Sequence, residues 1–169
     1  MKMNNNLENF KKWFSSLLEN IYPNQNAGFV ILMVSFPLLK RYLREKSGVH
    51  EGDLNNDYYS ALKSIFSELP DIETAKKFWH VFRNGILHQA TLSKENKKGI
   101  TMPNGGLSFE VEMVAIKNGN RFWINPINFS KKVLDVITKD FATYEGGGSP
   151  KHPLPTVTQH TSILGTSTG

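Results

Sequence analysis

Residues 27–39 of this 169-residue chain read AGFVILMVSFPLL, and they are the most apolar stretch of the sequence. The stretch is shorter than the ~20 apolar residues that a membrane-spanning helix needs, and it contains Pro37. A helix over residues 28–44 that is apolar on most of its sides is typical of the centre of a core. We therefore predict a buried central helix, with Pro37 either kinking the helix or marking its start.

Three further amphipathic helices are predicted to pack around this central helix. Apolar residues recur at helical spacing over residues 7–22, 57–69 and 72–92. Asp71 stands directly before the last of these segments, where an aspartate side chain can cap a helix N-terminus. The first part of the chain is therefore expected to be a helical bundle.

The pattern then changes from helical spacing to alternation. Residues 107–116 place apolar side chains at every second position, and residues 121–125 form the returning strand. Between them, Asn118 and Gly119 form a strong hairpin turn signal. The predicted fold class is mainly α: a helical bundle with an inserted β-hairpin at about 107–125 and a C-terminal helix.

The end of the chain divides into this last helix and a tail. Asn128 or Ser130 is predicted to cap the helix. Residues 146–169 are mostly Gly, Pro, Ser and Thr, so they bury too little apolar surface to offset the entropy of ordering them. We predict one folded domain over residues 1–145 and a flexible low-complexity tail, whose GGGS start equally resembles an added linker.

Composition and charge narrow the class of protein. The absence of cysteine excludes disulfides, thiolate metal sites and cysteine nucleophiles. No cofactor or metal signature and no signal peptide is visible, so we expect a cytoplasmic protein with no cofactor, no metal and no membrane partner. The net charge is +5, which permits an anionic partner. Residues 74–98 carry the local excess of positive charge. Their one acidic residue is Glu95, and their six basic residues are Lys76, Lys77, Arg83, Lys94, Lys97 and Lys98.

The most informative segment is residues 78–88, which read FWHVFRNGILH. At about 100° per residue, an α-helix places one side of this segment in the core, namely Phe78, Trp79, Phe82 and Ile86. Asn84 and His88 stack together on the opposite side. The neighbours there include the apolar Val81 and Leu87, so we predict that this outward side is a second interface.

Arg83, Asn84 and His88 suit one kind of chemistry. An arginine carries a permanent, forked positive charge that matches phosphate oxygens. A histidine can accept or donate a proton near neutral pH, and an asparagine can orient a histidine or a phosphate. Together they could cleave RNA without a metal, with the ribose 2′-hydroxyl as internal nucleophile.

Arg83, the polar Asn84 directly after it and His88 resemble the HEPN superfamily, whose motif is Arg, four to six residues, and His. The resemblance implies an up-and-down helical bundle that forms a homodimer. In that dimer two motif helices would build one composite, metal-independent endoribonuclease site, with Arg83, Asn84 and His88 as its catalytic residues. Members of the family often act as toxins or in anti-phage defence, so an antitoxin or regulator is a possible partner. Some of these toxins carry a modified tyrosine two residues after the histidine, and Ala90 stands at that position here.

Two other interpretations stay open. A catalytically inactive HEPN-like dimer would serve as a binding or scaffold module, and a helical nucleic-acid-binding domain would use only the basic segment. The RNA-binding residues predicted outside the motif are Lys76, Lys77, His80, Lys94, Lys97 and Lys98. The alternative for His80 is a structural or interfacial role, and the alternative for the lysines near residue 97 is an ordinary solvated loop.

Overall fold

The computed structural model describes residues 5–89 and 104–146, with only the backbone described for Asn5, Asn84 and residues 87–89. Within these ranges the chain is mainly helical and carries one small sheet. The α-helices are α1 (Asn5–Phe10), α2 (Ser16–Ile21), α3 (Gly28–Ser47), α4 (Asn56–Ile65), α5 (Ile72–Trp79), α6 (Pro126–Lys139) and α7 (Phe141–Glu145). Two segments are π-helical, Lys11–Ser15 and His80–Gln89, and the strands are β1 (Asn104–Leu107), β2 (Val114–Lys117) and β3 (Arg121–Ile124).

The central position of α3 is confirmed. The helix packs against α4, α6, α7 and the π-helix His80–Gln89. Its inward residues have no exposed surface, among them Ile31, Leu32, Phe36, Leu39 and Leu43. Pro37 lies inside this helix rather than at its start, at an exposed position, and it cannot donate the helical hydrogen bond to the Met33 carbonyl.

A cluster of aromatic rings joins the helices around α3. The Phe129 ring of α6 lies 4.9 Å from the rings of both Phe36 and Phe66, measured between ring centroids. Phe78 and Phe82 lie 5.0 Å apart, so the same cluster ties α5 and the following π-helix to the centre. The predicted core side of residues 78–86 is confirmed, since Phe78, Trp79, Phe82 and Ile86 are all buried.

The predicted helix boundaries hold at some ends and shift at others. The Asp71 carboxylate accepts a hydrogen bond from the Thr74 backbone N–H at 2.7 Å, so the predicted cap is confirmed. The helix predicted over residues 57–69 stops at Ile65, and the chain turns through residues 66–69. The helix predicted over residues 72–92 continues past α5 as the π-helix, and residues 90–92 lie outside the described residues.

The sheet differs from a simple hairpin. The strands lie in the order β1-β3-β2, with β1 parallel and β2 antiparallel to β3. A single strand over residues 107–116 is therefore wrong, because β1 and β2 flank β3 and residues 108–113 between them are irregular. The Asn125 side chain holds that irregular segment by donating to the carbonyls of Phe109 and Val111 at 3.3 and 3.1 Å. The turn at Asn118 and Gly119 is confirmed, with φ angles of 53° and 68°.

The last long helix begins earlier than predicted. Asn125 caps α6, because its Oδ1 accepts from the backbone N–H groups of Ile127 and Asn128, and Pro126 occupies the first turn. Ser130 is instead buried and shares a hydrogen bond of 2.9 Å with the Tyr22 hydroxyl. The predicted tail after Gly146 lies outside the described residues. None of the helices in residues 5–89 and 104–146 has the length and apolar character to cross a membrane.

Candidate functional site

The segment that carries the predicted catalytic residues is wound as a π-helix over His80–Gln89. In a π-helix each backbone N–H bonds to the carbonyl five residues earlier rather than four. Positions 83 and 88 are five apart, so they lie one turn from each other along the same side of the backbone. In an α-helix at about 100° per residue, the same positions would point in clearly different directions.

The packing of β1 on the π-helix corrects the prediction for Val81. The α-helical pattern placed Val81 on the outward side, but its side chain is only 6% exposed. Strand β1 covers it so closely that a Cβ atom added to Gly105 would stand 2.8 Å from Val81 Cγ1 and 3.0 Å from Phe82 Cζ. Val81 is thus a core residue of the same chain, and it does not need a partner chain to cover it.

Arg83 lines a groove of about 580 Å³ between the second half of α3 and the loop that follows this helix. The groove carries a marked excess of positive charge. Its basic side chains are Lys40, Arg41 and Arg44 of α3, Arg83 of the π-helix and His50 of the loop, and its acidic side chains are Glu45 and Glu51.

The cations of this groove lie close enough to influence one another. The pKa of Lys40 is lowered by burial, and then by the positive charges of Arg83 and Arg44. Burial raises the pKa of the enclosed Tyr58 hydroxyl, an effect that Arg44 and Arg83 partly oppose. Like charges brought together in this way raise the free energy of the groove unless an anion neutralises them. The arrangement therefore suits a phosphate group.

Two of the arginines also hold the groove in shape. Arg41 Nε donates to the Tyr144 carbonyl at 2.9 Å, and its guanidinium lies 5.2 Å from the centre of the Tyr144 ring. Arg44 donates from Nη1 to the Val49 carbonyl at 3.0 Å and from Nη2 to the Gly52 carbonyl at 3.3 Å. The loop of residues 49–52 is thereby fastened to the last turns of α3.

The other predicted RNA-binding residues are not gathered at this groove. Lys76 forms an ion pair with Glu73 at 2.7 Å and lies over the Tyr59 ring, while Lys77 and His80 are exposed. None of these three lines the groove. Lys94, Lys97 and Lys98 lie outside the described residues, and for Asn84 and His88 the structure gives the backbone position alone.

The basic side chains of α3 are functional candidates that the sequence analysis missed. Residues 40–44 read KRYLR, and this spacing places Lys40, Arg41 and Arg44 along one side of a helix. The apolar character of residues 28–44 predicts only a core helix, and the local excess of positive charge in residues 74–98 draws attention away from this side of α3. What the sequence did not reveal is that Arg83 packs beside this side of α3.

No ligand chemistry other than anion binding stands out in the described ranges. Within residues 5–89 and 104–146, no group of three or more His, Asp or Glu side chains is placed to hold a metal ion.

Comparison of the chain with models of known protein families, with characterised proteins and with solved structures gave no match.

Proposed function

We propose that the chain is a metal-independent endoribonuclease of HEPN type that acts as a homodimer in the cytoplasm, in a toxin or anti-phage defence role. The observation that carries this proposal is the convergence of Arg83, Lys40 and Arg44 on one groove. Clustered cations of this kind suit the phosphate backbone of a nucleic acid, which dominates the affinity of such complexes.

The proposed reaction is a transesterification within the RNA strand. The ribose 2′-oxygen attacks phosphorus while a base removes its proton, the bond from phosphorus to the 5′-oxygen breaks, and an acid protonates that 5′-oxygen. The products are a 2′,3′-cyclic phosphate and a 5′-hydroxyl end. Arg83 stabilises the negative charge that develops on the phosphate, His88 transfers a proton, and Asn84 orients the histidine or the phosphate.

The winding of the π-helix lends support to this assignment. Arg83 and His88 have the separation that the i→i+5 pattern brings to neighbouring turns. π-Helical turns are uncommon and are found frequently at functional sites. A phosphate held by Arg83 would therefore lie beside the turn that carries His88.

An uncovered apolar stripe on α3 supports the homodimer. Phe29, Val30 and Met33 are 40%, 53% and 47% exposed, and the stripe runs on to the exposed Pro37 at the groove. A contiguous exposed apolar surface often marks an interaction site. A two-fold contact through this stripe would cover these side chains in a homodimer.

The proposal is tested by incubating the purified chain with single-stranded RNA in EDTA and identifying the ends of the products. We expect cleavage with 2′,3′-cyclic phosphate ends, no cleavage of DNA, and losses of roughly 10²–10⁴-fold for Arg83→Ala and for His88→Ala. Arg83→Lys should retain little cleavage activity, because an ammonium lacks the planar fork of a guanidinium. Asn84→Ala should lose less cleavage activity than Arg83→Ala, since the role of Asn84 is orientation. Arg121→Ala, at an exposed arginine of β3, is the matched control and should cleave normally.

The same assay decides between the proposal and its alternative. A chain that binds RNA in a salt-dependent manner without cleaving it would be a catalytically inactive HEPN-like dimeric module. Cleavage that depends on magnesium or survives His88→Ala would also exclude the proposed mechanism. Sedimentation of the wild type against Met33→Glu tests the dimer, with Leu17→Glu, at an exposed leucine of α2, as control.

A further inference from the structure

A histidine outside the motif lies in the same groove as Arg83. The His50 side chain is 38% exposed, whereas the Glu45 side chain beside it is only 8% exposed. His50 Nδ1 lies 3.7 Å from Glu45 Oε1, and this nitrogen has no accessible surface and no hydrogen-bond partner. The exposed part of the imidazole is therefore the edge away from Nδ1, which includes Nε2.

This arrangement resembles that of a histidine whose ring is oriented by a neighbouring carboxylate. A carboxylate behind one ring nitrogen fixes the tautomer and the ring direction, so the other nitrogen can exchange a proton with a ligand. The distance of 3.7 Å is longer than a direct hydrogen bond. Such contacts commonly tighten when a substrate binds.

The backbone that carries His50 is held on both sides. Gly48 ends α3 in a left-handed conformation with φ of 69°, which turns the chain back over the helix. The Val49 backbone N–H donates to the Arg44 carbonyl at 3.1 Å, and the Arg44 side chain donates to the carbonyls of Val49 and Gly52. His50 is thus positioned by a pinned loop rather than by a side chain alone.

The proposed cleavage needs two proton transfers, one from the 2′-hydroxyl and one to the 5′-oxygen, and Arg83-x4-His88 supplies one histidine. We propose that His50, positioned by Glu45, is a second proton-transferring residue of this groove, with Nε2 facing the phosphate held by Arg83, Lys40 and Arg44. This inference rests on the proposed function. One imidazole accepts the proton that leaves the 2′-oxygen, and the other gives a proton to the 5′-oxygen as its bond to phosphorus breaks.

The first test uses the whole chain with inorganic phosphate as probe. Long-range ¹H–¹⁵N spectra should show that the uncharged His50 imidazole is the Nδ1–H tautomer. Added phosphate should shift the signal of Nε2. His80, which is exposed and does not line the groove, serves as the control and should not shift. If phosphate leaves the His50 signals unchanged, or shifts His80 equally, the inference is wrong.

The second test measures RNA cleavage in EDTA by His50→Gln and His50→Ala, with Arg121→Ala, at an exposed residue outside the groove, as the control. We expect roughly 10²–10⁴-fold lower kcat for both His50 variants with little change in KM, and normal cleavage by Arg121→Ala. If His50→Gln cleaves like the wild type while Arg83→Ala does not, the proposed function survives and the inference fails. If the wild type does not cleave RNA, the proposed function fails, and the catalytic role of His50 fails with it.

Glu45→Gln separates a positioning role from a structural one. A glutamine amide can face Nδ1 with its donor NH₂ group as well as with its oxygen, so the fraction of the Nδ1–H tautomer and kcat should fall together. The other charges facing this ring are those of the α3 side chains, Arg83 and Glu51, and they stay unchanged in this variant. A lower melting temperature with an unchanged fraction of the Nδ1–H tautomer would overturn the positioning role of Glu45.

Discussion

The two halves of one continuous helical segment behave differently. In α5 the winding is regular, Asp71 caps the first turn, and Ala75, Phe78 and Trp79 are buried as an α-helical pattern predicts. In the π-helix that follows, the same pattern misplaces Val81, and the segment brings Arg83 to a groove. Apolar periodicity thus predicts the core side of both halves, including Phe82 and Ile86, but it misses the burial of Val81, and the irregular half carries the candidate site.

Packing explains how the irregular half is tolerated. Phe82 stacks on Phe36 of α3 at 6.1 Å, and β1 lies on Val81 and Phe82 where Gly105 has no side chain to prevent it. These contacts stabilise a winding that is rarely found in long runs.

Phe78→Ala should have the largest effect on stability. Phe78 is fully buried and its ring lies within 6.1 Å of the rings of Phe36, Phe82 and Phe122. Removing the ring should lower the free energy of unfolding by about 3–5 kcal/mol, measured by urea denaturation. Lys77→Ala, at the exposed neighbouring position, should stay within about 0.5 kcal/mol of the wild type. Equal effects of the two substitutions would show that α5 is not held in the core through Phe78.

Gly105→Ala tests the contact between β1 and the π-helix. The added methyl group would meet Val81 and Phe82 at 2.8–3.0 Å, so we expect a loss of about 1–3 kcal/mol in the free energy of unfolding. Combining it with Val81→Ala should cost less than the sum of the two single substitutions, because the smaller residue makes room. Strict additivity would show that β1 does not press on the π-helix.

Asp71→Ala should have a smaller effect that depends on pH. The Thr74 backbone N–H lowers the pKa of the Asp71 carboxyl, so the cap stabilises the fold above the unfolded-state pKa of about 3.9. This contribution is lost as pH falls through the lower pKa of the folded state. Melting temperatures of the wild type and the variant should differ at pH 7 and converge in strong acid. Asp57→Ala, in the first turn of α4 where Asn55 is the cap, is the control.

Arg83→Ala should change stability least of all, by about 1 kcal/mol or less. The substitution removes one positive charge from the surroundings of Lys40, so the pKa of Lys40 should rise toward its ordinary value. The titration of the lysine side chain by NMR, together with urea denaturation, measures both effects. A Lys40 pKa that does not move, or a loss of stability as large as that of Phe78→Ala, would show that Arg83 serves the fold rather than the groove.

Much of the fold could be predicted from local patterns. The central position of residues 28–44, the Asp71 cap and the turn at Asn118 depend on apolar spacing or on short-range hydrogen bonds, and all three are confirmed. The single strand over residues 107–116 was wrong, because a pairing between β1 and β3 joins segments that are separated along the chain. Alternation predicts an extended segment, but it does not say which neighbour that segment will pair with.

The sequence alone determined that Arg83, Asn84 and His88 occur together in a helical segment with a buried aromatic side. Only the tertiary structure decided that this segment winds as a π-helix, that β1 covers Val81, and that Lys40, Arg44 and His50 share a groove with Arg83. The physical reason is that residue spacing fixes a direction around one helix, whereas a binding groove depends on which other elements pack beside it. Those contacts are set by the free energy of the whole core, to which every helix and strand contributes.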